Sequence, residues 1–205
     1  MKSAVKQLLT RTLAIKPVRD VLVGILSREG WVSGIRTSPL ASETSIHRPN
    51  LAQYCQGDGI DLGFGGDPIN ETAVRIDLPS PYSTGIFPTQ FAGDATKLHW
   101  FADASLDYIF SSHLLEDFPD TTAVLREWLR VLKAGGLLII GCPDEVRYRA
   151  YCTAQGHPRN EHHVHADFSL SFVKRHLEQI NATTLVYEND AVGPYSWELV
   201  VRKNG

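Results

Sequence analysis

Short apolar runs recur along the chain after residue 58, and each ends in a glycine or a polar residue. They occupy residues 59–63, 73–78 and, more weakly, 90–93, and continue at 106–111 and 136–142. The last run is apolar at every position between its two glycines. Strands that are apolar on both faces are typical of a parallel sheet covered by helices. The runs therefore predict the strands of such a sheet.

Helical periodicity lies between and after these runs. Apolar residues recur at helical spacing from Val124 to Leu132, in a helix expected to begin near Pro119 and to stop at Gly135. Because this helix joins two of the runs, it completes a βαβ unit. A further helix is expected after Ser169, whose side chain suits an N-cap.

The end of the chain has the pattern of a β-hairpin. Two runs of β-forming residues, 183–187 and 196–202, flank Gly193 and Pro194. Strands that alternate with helices and end in such a hairpin predict the fold class α/β. We expect a Rossmann-like open, mostly parallel sheet with a C-terminal antiparallel hairpin strand.

The first fifty residues have a different pattern. Apolar residues recur at helical spacing over 5–13 and again over 18–26, whereas 30–50 is rich in Ser, Thr, Pro and Gly without periodicity. We expect an N-terminal helical extension of two amphipathic helices, followed by an extended connection. Such stripes favour packing on the core over the two alternatives, a lid or an anchor at a membrane surface.

Length and composition favour one globular domain. The chain has 205 residues, and its 43% hydrophobic and 21% charged residues are ordinary for a folded protein. A single domain over 1–205 is expected. Its parts are a helical and extended segment at 1–50, a regular α/β part at 58–143, a loop at 144–168, and a helix and hairpin at 169–205.

Charge and cysteine content narrow the range of partners. The formal net charge of −3, without a basic stripe, argues against nucleic acid or an anionic membrane. Three cysteines at wide spacing exclude a disulfide framework and fit a reducing compartment. Since neither an apolar run of about 18 residues nor a secretory apolar region occurs, we expect a cytoplasmic protein without a membrane span that acts on a small molecule.

Glycines and acids gather at the ends of the predicted strands. The first run ends in Asp61, Gly63 and Gly65, and the second in Asp77. In open α/β sheets, ligands bind beyond the carboxyl ends of the strands. Glycines let a ligand approach the backbone, and an acid after the second strand can accept hydrogen bonds from two ribose hydroxyls. Together these residues predict a nucleoside site.

Three stretches of sequence resemble the motifs of one enzyme family. Residues 59–65 are similar to its glycine-rich first motif, 93–118 to the segment through its fourth strand, and 129–140 to its helix, glycine pair and fifth strand. The family is the class I S-adenosylmethionine-dependent methyltransferases of the small-molecule type, and the resemblance covers 58–143. It implies S-adenosyl-L-methionine as cofactor and methyl transfer to a small-molecule acceptor.

The resemblance also implies roles for residues at the first two strands. Gly63 and Gly65 would line the methionine part of the cofactor, with Asp61 near its ammonium group, and Asp77 would hold the ribose hydroxyls. Displacement at a methyl that a sulfonium already activates needs mainly orientation and exclusion of water. A strong catalytic residue is therefore not required.

Later strands supply the remaining implied roles. Asp94 would accept from the exocyclic amine of adenine, the N–H of Ala95 would meet the ring, and Ser112 with His113 would close the pocket near the transferable methyl. Either His113 or His165 is a candidate general base toward a hydroxyl acceptor, since an imidazole suits that task at neutral pH.

The spacing between the first two strands departs from related nucleotide-binding folds. Asp77 follows Gly63 by fourteen residues, whereas such folds place this acid about 20 residues on, after a full helix. A shortened or absent first helix is expected, and Asp67 would bring a like charge beside the cofactor's carboxylate. This leaves open the alternative of a methyltransferase-like binding or scaffold protein with weakened or lost cofactor binding.

Histidines are concentrated in the loop after the fifth strand. Four of the eight, His157, His162, His163 and His165, lie there and raise the alternative of a metal-dependent hydrolase. Adjacent ligands on a loop do not readily converge on one ion, so no metal site is expected. The sequence favours contact with the acceptor as the role of the 144–168 loop.

Overall fold

The apolar runs form one sheet. The computed structural model describes residues 42–78 and 89–205, and within them seven strands follow the order β3-β2-β1-β4-β5-β7-β6. The strands are β1 Gly59–Leu62, β2 Val74–Asp77, β3 Phe91–Ala92, β4 Leu106–Ser112, β5 Leu132–Pro143, β6 Thr183–Val192 and β7 Ser196–Lys203. Strands β1 to β5 pair in parallel, and β7 pairs antiparallel with β5 and β6. The predicted fold class and hairpin are confirmed.

Four α-helices lie in the described part of the chain. They are α1 Glu43–Leu51, α2 Thr121–Val131, α3 Glu145–Gln155 and α4 Leu170–Ile180, with short 3₁₀ turns at Ala52–Tyr54 and Leu115–Asp117. Ser169 caps α4 by accepting the N–H of Phe172 at 3.2 Å, as its position in the sequence predicts. The helices expected over 5–13 and 18–26 lie outside the described residues.

The main core lies between the central strands and helices α2 and α4. Leu125 and Trp128 of α2 and Val173 of α4 are buried in one cluster with Ile109 and Ile140, which come from β4 and β5. Full burial of one such side chain stabilises a fold by roughly 1.5–3 kcal/mol. The cluster therefore fixes the strands whose carboxyl ends form the candidate site.

Helix α1 corrects the expectation of an extended connection over 30–50 in the part that the structure describes, which begins at residue 42. Ser42 caps it by accepting the N–H of Ser45 at 3.0 Å. His47 is fully buried, with Nδ1 3.0 Å from Oε1 of Glu198 on β7. Because polar contacts rather than an apolar stripe hold this helix, apolar periodicity does not reveal it.

Helix α3 corrects the expectation of a continuous loop over 144–168. Asp144 caps the helix by accepting the N–H of Arg147 at 2.9 Å, and Gly156 ends it with φ of 66°. Only Glu145 and Cys152 of this helix are buried, so it has no apolar stripe to predict it.

The boundary between α2 and β5 also differs from prediction. The helix ends at Val131, four residues before Gly135, because Leu132 is already extended and pairs with Leu106 of β4. Strand β5 therefore starts at 132 rather than at 136. The glycine pair lies inside the strand and not at a helix end.

No helix lies between β1 and β2, whose connecting residues 63–73 are all described. Asn70 closes this connection, since its Oδ1 accepts the N–H groups of Thr72 and Ala73 at 3.0 and 2.7 Å. The predicted absence of a full first helix is confirmed.

Candidate active site

A cavity of about 360 Å³ opens at the carboxyl ends of β1, β2, β3 and β4. Fourteen residues line it: Gly63, Gly65, Ile76, Asp77, Leu78, Gly93, Asp94, Ala95, His113, Leu114, Asp117, Phe118, Asn160 and His162. Six of the predicted site residues are among them. The turns after four separate strands thus meet at one edge of the sheet, where ligands bind in folds of this type.

The turn after β1 is held against the end of β2. The N–H of Gly65 donates to Oδ2 of Asp77 at 3.1 Å, and the N–H of Leu78 donates to Oδ1 at 2.7 Å. Gly63 has φ of 66°, and a Cβ there would come within 2.9 Å of the Leu114 side chain. Glycine is therefore favoured at 63, because the backbone is left-handed there and a side chain would displace the neighbouring leucine.

Asp61 lies beneath this turn and does not line the cavity. It is fully buried, and its Oδ2 accepts the N–H of Ile69 at 2.7 Å while Oδ1 has no hydrogen-bond partner. Burial raises the pKa of Asp61 to about 8, against the lowering effect of the Ile69 hydrogen bond. The structure places this acid where it shapes the loop from below.

Asp67, expected to repel the cofactor's carboxylate, is paired inside the protein. Its Oδ1 accepts from Nη2 of Arg48 at 2.6 Å, and its other oxygen bonds the hydroxyl of Ser42. Arg48 also donates to the carbonyl of Pro68 at 3.0 Å. Because the guanidinium offsets the negative charge and Asp67 does not line the cavity, like-charge repulsion at the site is reduced.

The turn after β3 forms a second wall. Oδ1 of Asp94 accepts from the hydroxyl of Thr96 at 2.6 Å and from its N–H at 2.9 Å. The Thr96 hydroxyl lowers the pKa of Asp94, which keeps this carboxyl ionised. The carbonyl of Ala95 accepts from the indole N–H of Trp128 at 2.8 Å, so the core fixes the position of this turn.

The end of β4 supplies His113. Its N–H donates to the carbonyl of Gly141 at 2.8 Å, and its φ of 49° turns the chain out of the strand and toward the cavity. The ring Nε2 is 3.3 Å from the hydroxyl of Ser196. Ser112 is buried just before this turn, with no hydrogen-bond partner for its hydroxyl, and it is not among the lining residues.

His165, the other candidate base, lies away from the cavity wall. Its Nε2 is 2.8 Å from the carbonyl of Phe118 and 3.3 Å from the hydroxyl of Thr121. Its ring centroid is 5.5 Å from that of Phe168 and 5.1 Å from that of Phe172. The structure therefore brings only His113 of the two candidate bases to the cavity.

Sequence reasoning missed three polar residues of the cavity wall. Asn160 and His162 come from the segment after α3, and Asp117 comes from the 3₁₀ turn after β4. The run of histidines was a signal for this segment, but it did not show which of them face the cavity. The N–H of Asn160 donates to the hydroxyl of Tyr148 at 2.9 Å, which ties the segment to α3.

Residues 42–78 and 89–205 contain neither a cluster of metal ligands nor a membrane-spanning helix. No group of three or more His, Cys, Asp or Glu side chains there is arranged to hold a metal ion. None of the helices in these ranges has the length and apolar character needed to cross a membrane.

A Rossmann-like sheet with a glycine turn and a strand-end acid at one cavity is the arrangement in which α/β domains of this type bind nucleosides. A family model described as a methyltransferase domain matches residues 71–140, which include Asp77, Asp94 and His113. Malonyl-[acyl-carrier protein] O-methyltransferase 1 from Coxiella burnetii is 34% identical over 119 residues, 57% of this chain. The match covers only 40% of that relative's length.

Solved structures share the fold at low sequence identity. A SAM-dependent methyltransferase from Archaeoglobus fulgidus has a TM-score of 0.63 at 14% identity, covering 82% of this chain and 96% of that one. An S-adenosylmethionine-dependent methyltransferase from Mesorhizobium loti has a TM-score of 0.55 at 15% identity, covering 81% and 100%. Residues 71–140 thus match a methyltransferase domain in sequence, and the described part of the chain shares the fold of these solved methyltransferases.

Proposed function

We propose that this chain binds S-adenosyl-L-methionine in the cavity and transfers its methyl group to a small-molecule acceptor. One observation carries the proposal: the glycine turn, Asp77 and the Asp94–Ala95 turn meet on a single cavity of about 360 Å³. That volume lies within the range of small-molecule sites. The net charge of −3 argues against a nucleic-acid acceptor.

The residues present fit the cofactor at both ends of its nucleoside. Asp77 holds the N–H of Gly65 and still suits ribose hydroxyls, because a carboxylate has about four acceptor sites. The absence of a side chain at Gly65, where a Cβ would meet nothing closer than 4.0 Å, leaves room beside the turn. The ionised Asp94 suits the exocyclic amine of adenine. Bound S-adenosylmethionine would supply a methyl group already activated by its sulfonium.

His113 is assigned as the general base, because it lines the cavity and His165 does not. It would take the proton of a hydroxyl acceptor as the methyl group supplied by the cofactor exchanged its bond to sulfur for a bond to the acceptor oxygen, which would leave S-adenosylhomocysteine. The name of the Coxiella burnetii relative, an O-methyltransferase, supports an oxygen acceptor. Asn160, His162 and Asp117 make part of the cavity wall polar, which favours a polar acceptor.

Calorimetry with S-adenosylmethionine and S-adenosylhomocysteine tests cofactor binding directly. Asp77→Asn is expected to weaken both by about tenfold or more, since hydrogen bonds to a charged group are worth ~1.5–3 kcal/mol. Asp103→Asn is the matched control, because Asp103 is exposed and pairs with Arg130 before β4 begins. Absence of binding by the wild-type chain at millimolar ligand would overturn the proposal and favour the binding or scaffold alternative.

A further inference from the structure

The carboxyl group of Glu116 lies fully buried behind the cavity, on the 3₁₀ turn after β4. Neither of its oxygens has an N–H or O–H group at hydrogen-bond distance among the described residues, and the thiol of Cys142, a weak donor, interacts with the carboxyl. Burial of a carboxyl with so little hydrogen bonding opposes folding. A buried carboxyl of this kind next to a candidate active site therefore requires an explanation other than stability.

One oxygen of this carboxyl lies between two imidazole rings. Oε1 of Glu116 is 3.9 Å from Nδ1 of His113 and 3.6 Å from Nε2 of His163. The other ring nitrogen of His163, Nδ1, is 2.7 Å from Oε2 of Glu145, which is also buried. Carboxyl and imidazole groups thus alternate in the order Glu145, His163, Glu116 and His113, the last of which lines the cavity.

Other titratable groups surround this row from every packed element. Facing it are Glu43 and His47 of α1, Asp117 of the 3₁₀ turn, Cys142 of β5, Tyr148 and Arg149 of α3, and Tyr195 before β7. Arg149 offsets the charge of Glu145, with Nε 2.6 Å from Oε1. In the described residues, the ion pairs of Glu116 are with the two histidines alone.

We propose that Glu116 is a positioning residue for His113. Its carboxyl orients the His113 imidazole at the cavity wall and couples the protonation of His113 to the protonation of His163. The inference rests on the proposed function, since His113 serves as a base only when an acceptor reaches the cavity. Once Glu116 is ionised, an imidazole that gains a proton at one nitrogen can release the proton of the other to the carboxylate, so that an N–H bond breaks and an O–H bond forms at Glu116.

Two physical features support this coupling. Both separations are longer than a hydrogen bond, and contacts of this kind commonly tighten when the reacting complex forms. Burial raises the pKa of Glu116 to about 8, so its proton exchanges in the range where histidines titrate. Groups that interact this closely titrate in steps that belong to the set rather than to one residue.

An NMR titration of the full chain, labelled at the histidine rings and glutamate carboxyl carbons, tests the inference. In the wild-type chain, the ring signals of His113 and His163 are expected to shift a second time as Glu116 ionises near pH 8, and Glu116→Gln is expected to abolish this second shift because glutamine does not ionise. Glu161→Gln, which removes an exposed carboxylate from the segment after α3, is expected to leave the second shift in place. His165 gives an internal reference in each spectrum.

The wild-type chain gives a readout that needs no variant. The carboxyl carbon of Glu116 is expected to titrate far above the ordinary glutamate range, with inflections shared with the two histidines. A Glu116 that titrates near 4 without such inflections, or a second histidine shift that persists in Glu116→Gln, would overturn the inference. Cofactor binding is measured in a different experiment, calorimetry of the wild-type chain with S-adenosylhomocysteine. A failure of the proposed function is therefore distinguished from a failure of this inference.

Discussion

Asp61 and Asp77, at the ends of the neighbouring strands β1 and β2, have the same carboxyl group but different roles, because their surroundings differ. Asp61 is fully buried and accepts one N–H, from Ile69. Asp77 accepts two N–H groups and lines the cavity. The first therefore stabilises the glycine turn from below, and the second is placed to meet a ligand. Strand-end position predicts both acids but does not separate their environments.

Asp61→Asn is expected to flatten the dependence of stability on pH. The folded-state pKa of about 8 lies above the unfolded value of about 3.9, so the free energy of unfolding falls as pH rises from about 4 to about 8. Asparagine keeps an acceptor for Ile69 and does not ionise. Relative to wild type, the variant should gain up to ~1.4 kcal/mol for each pH unit in this range.

Urea unfolding at pH 5, 6.5 and 8 measures this difference. Asp103→Asn, a surface change, should follow the wild-type curve at all three values. Burial also raises the pKa of Glu116 to about 8. The free energy of unfolding of Asp61→Asn should therefore still fall with pH, but less steeply than that of wild type. An Asp61→Asn slope equal to that of wild type would contradict the raised pKa of Asp61.

The segment between α3 and α4 divides its side chains between two environments. His163 contacts Glu145 in the interior, and His165 contacts the carbonyl of Phe118. Asn160 and His162 line the cavity. The interior histidines thus anchor the segment that supplies part of the cavity wall, and contact with an acceptor through its outer residues stays a proposal.

His165→Ala is expected to destabilise the fold by about 1–3 kcal/mol, because it leaves the carbonyl of Phe118 and the hydroxyl of Thr121 without their imidazole partner. S-Adenosylhomocysteine affinity should change little, since His165 does not line the cavity. Urea unfolding and calorimetry on the same samples measure both effects.

His157→Ala is the matched comparison for this change. His157 is an exposed histidine just after α3, and its replacement should leave stability and affinity near wild type. If His165→Ala is as stable as wild type but binds S-adenosylhomocysteine poorly, His165 contributes to the candidate site rather than to stability.

Elements with a strong apolar pattern were predictable, and elements held by polar contacts were not. Strand β5 and helix α4 follow from apolar periodicity, because each buries one or both faces in the core. Helix α1 depends instead on the His47–Glu198 pair, whose members are far apart in sequence. The site divides in the same way: Asp77 follows from its strand end, whereas Asn160 reaches the cavity only through tertiary packing.

At the scale of the whole molecule, the sheet order brings together turns that are distant in sequence. Strand β1 lies between β2 and β4, so Gly65, Asp77 and His113 reach one cavity. Helix α1 adds Arg48, which pairs with Asp67 in the connection between β1 and β2. Related nucleotide-binding folds have a full helix in that connection. The short connection is thus supported from outside the α/β part of the chain.

A ligand that contacts several strand ends is expected to stabilise the whole chain. At a concentration 100-fold above its Kd, S-adenosylhomocysteine should add ~2.7 kcal/mol to the free energy of unfolding. For a chain of this size, that gain corresponds to a rise in Tm of about 5–10 °C. Asp77→Asn should lose about half of this gain at the same concentration, because a tenfold weaker Kd removes ~1.4 kcal/mol. Thermal unfolding followed by circular dichroism, with Asp103→Asn as control, measures both shifts. A wild-type Tm that does not move at millimolar ligand would contradict cofactor binding, whereas equal shifts in wild type and Asp77→Asn would place the ligand away from Asp77.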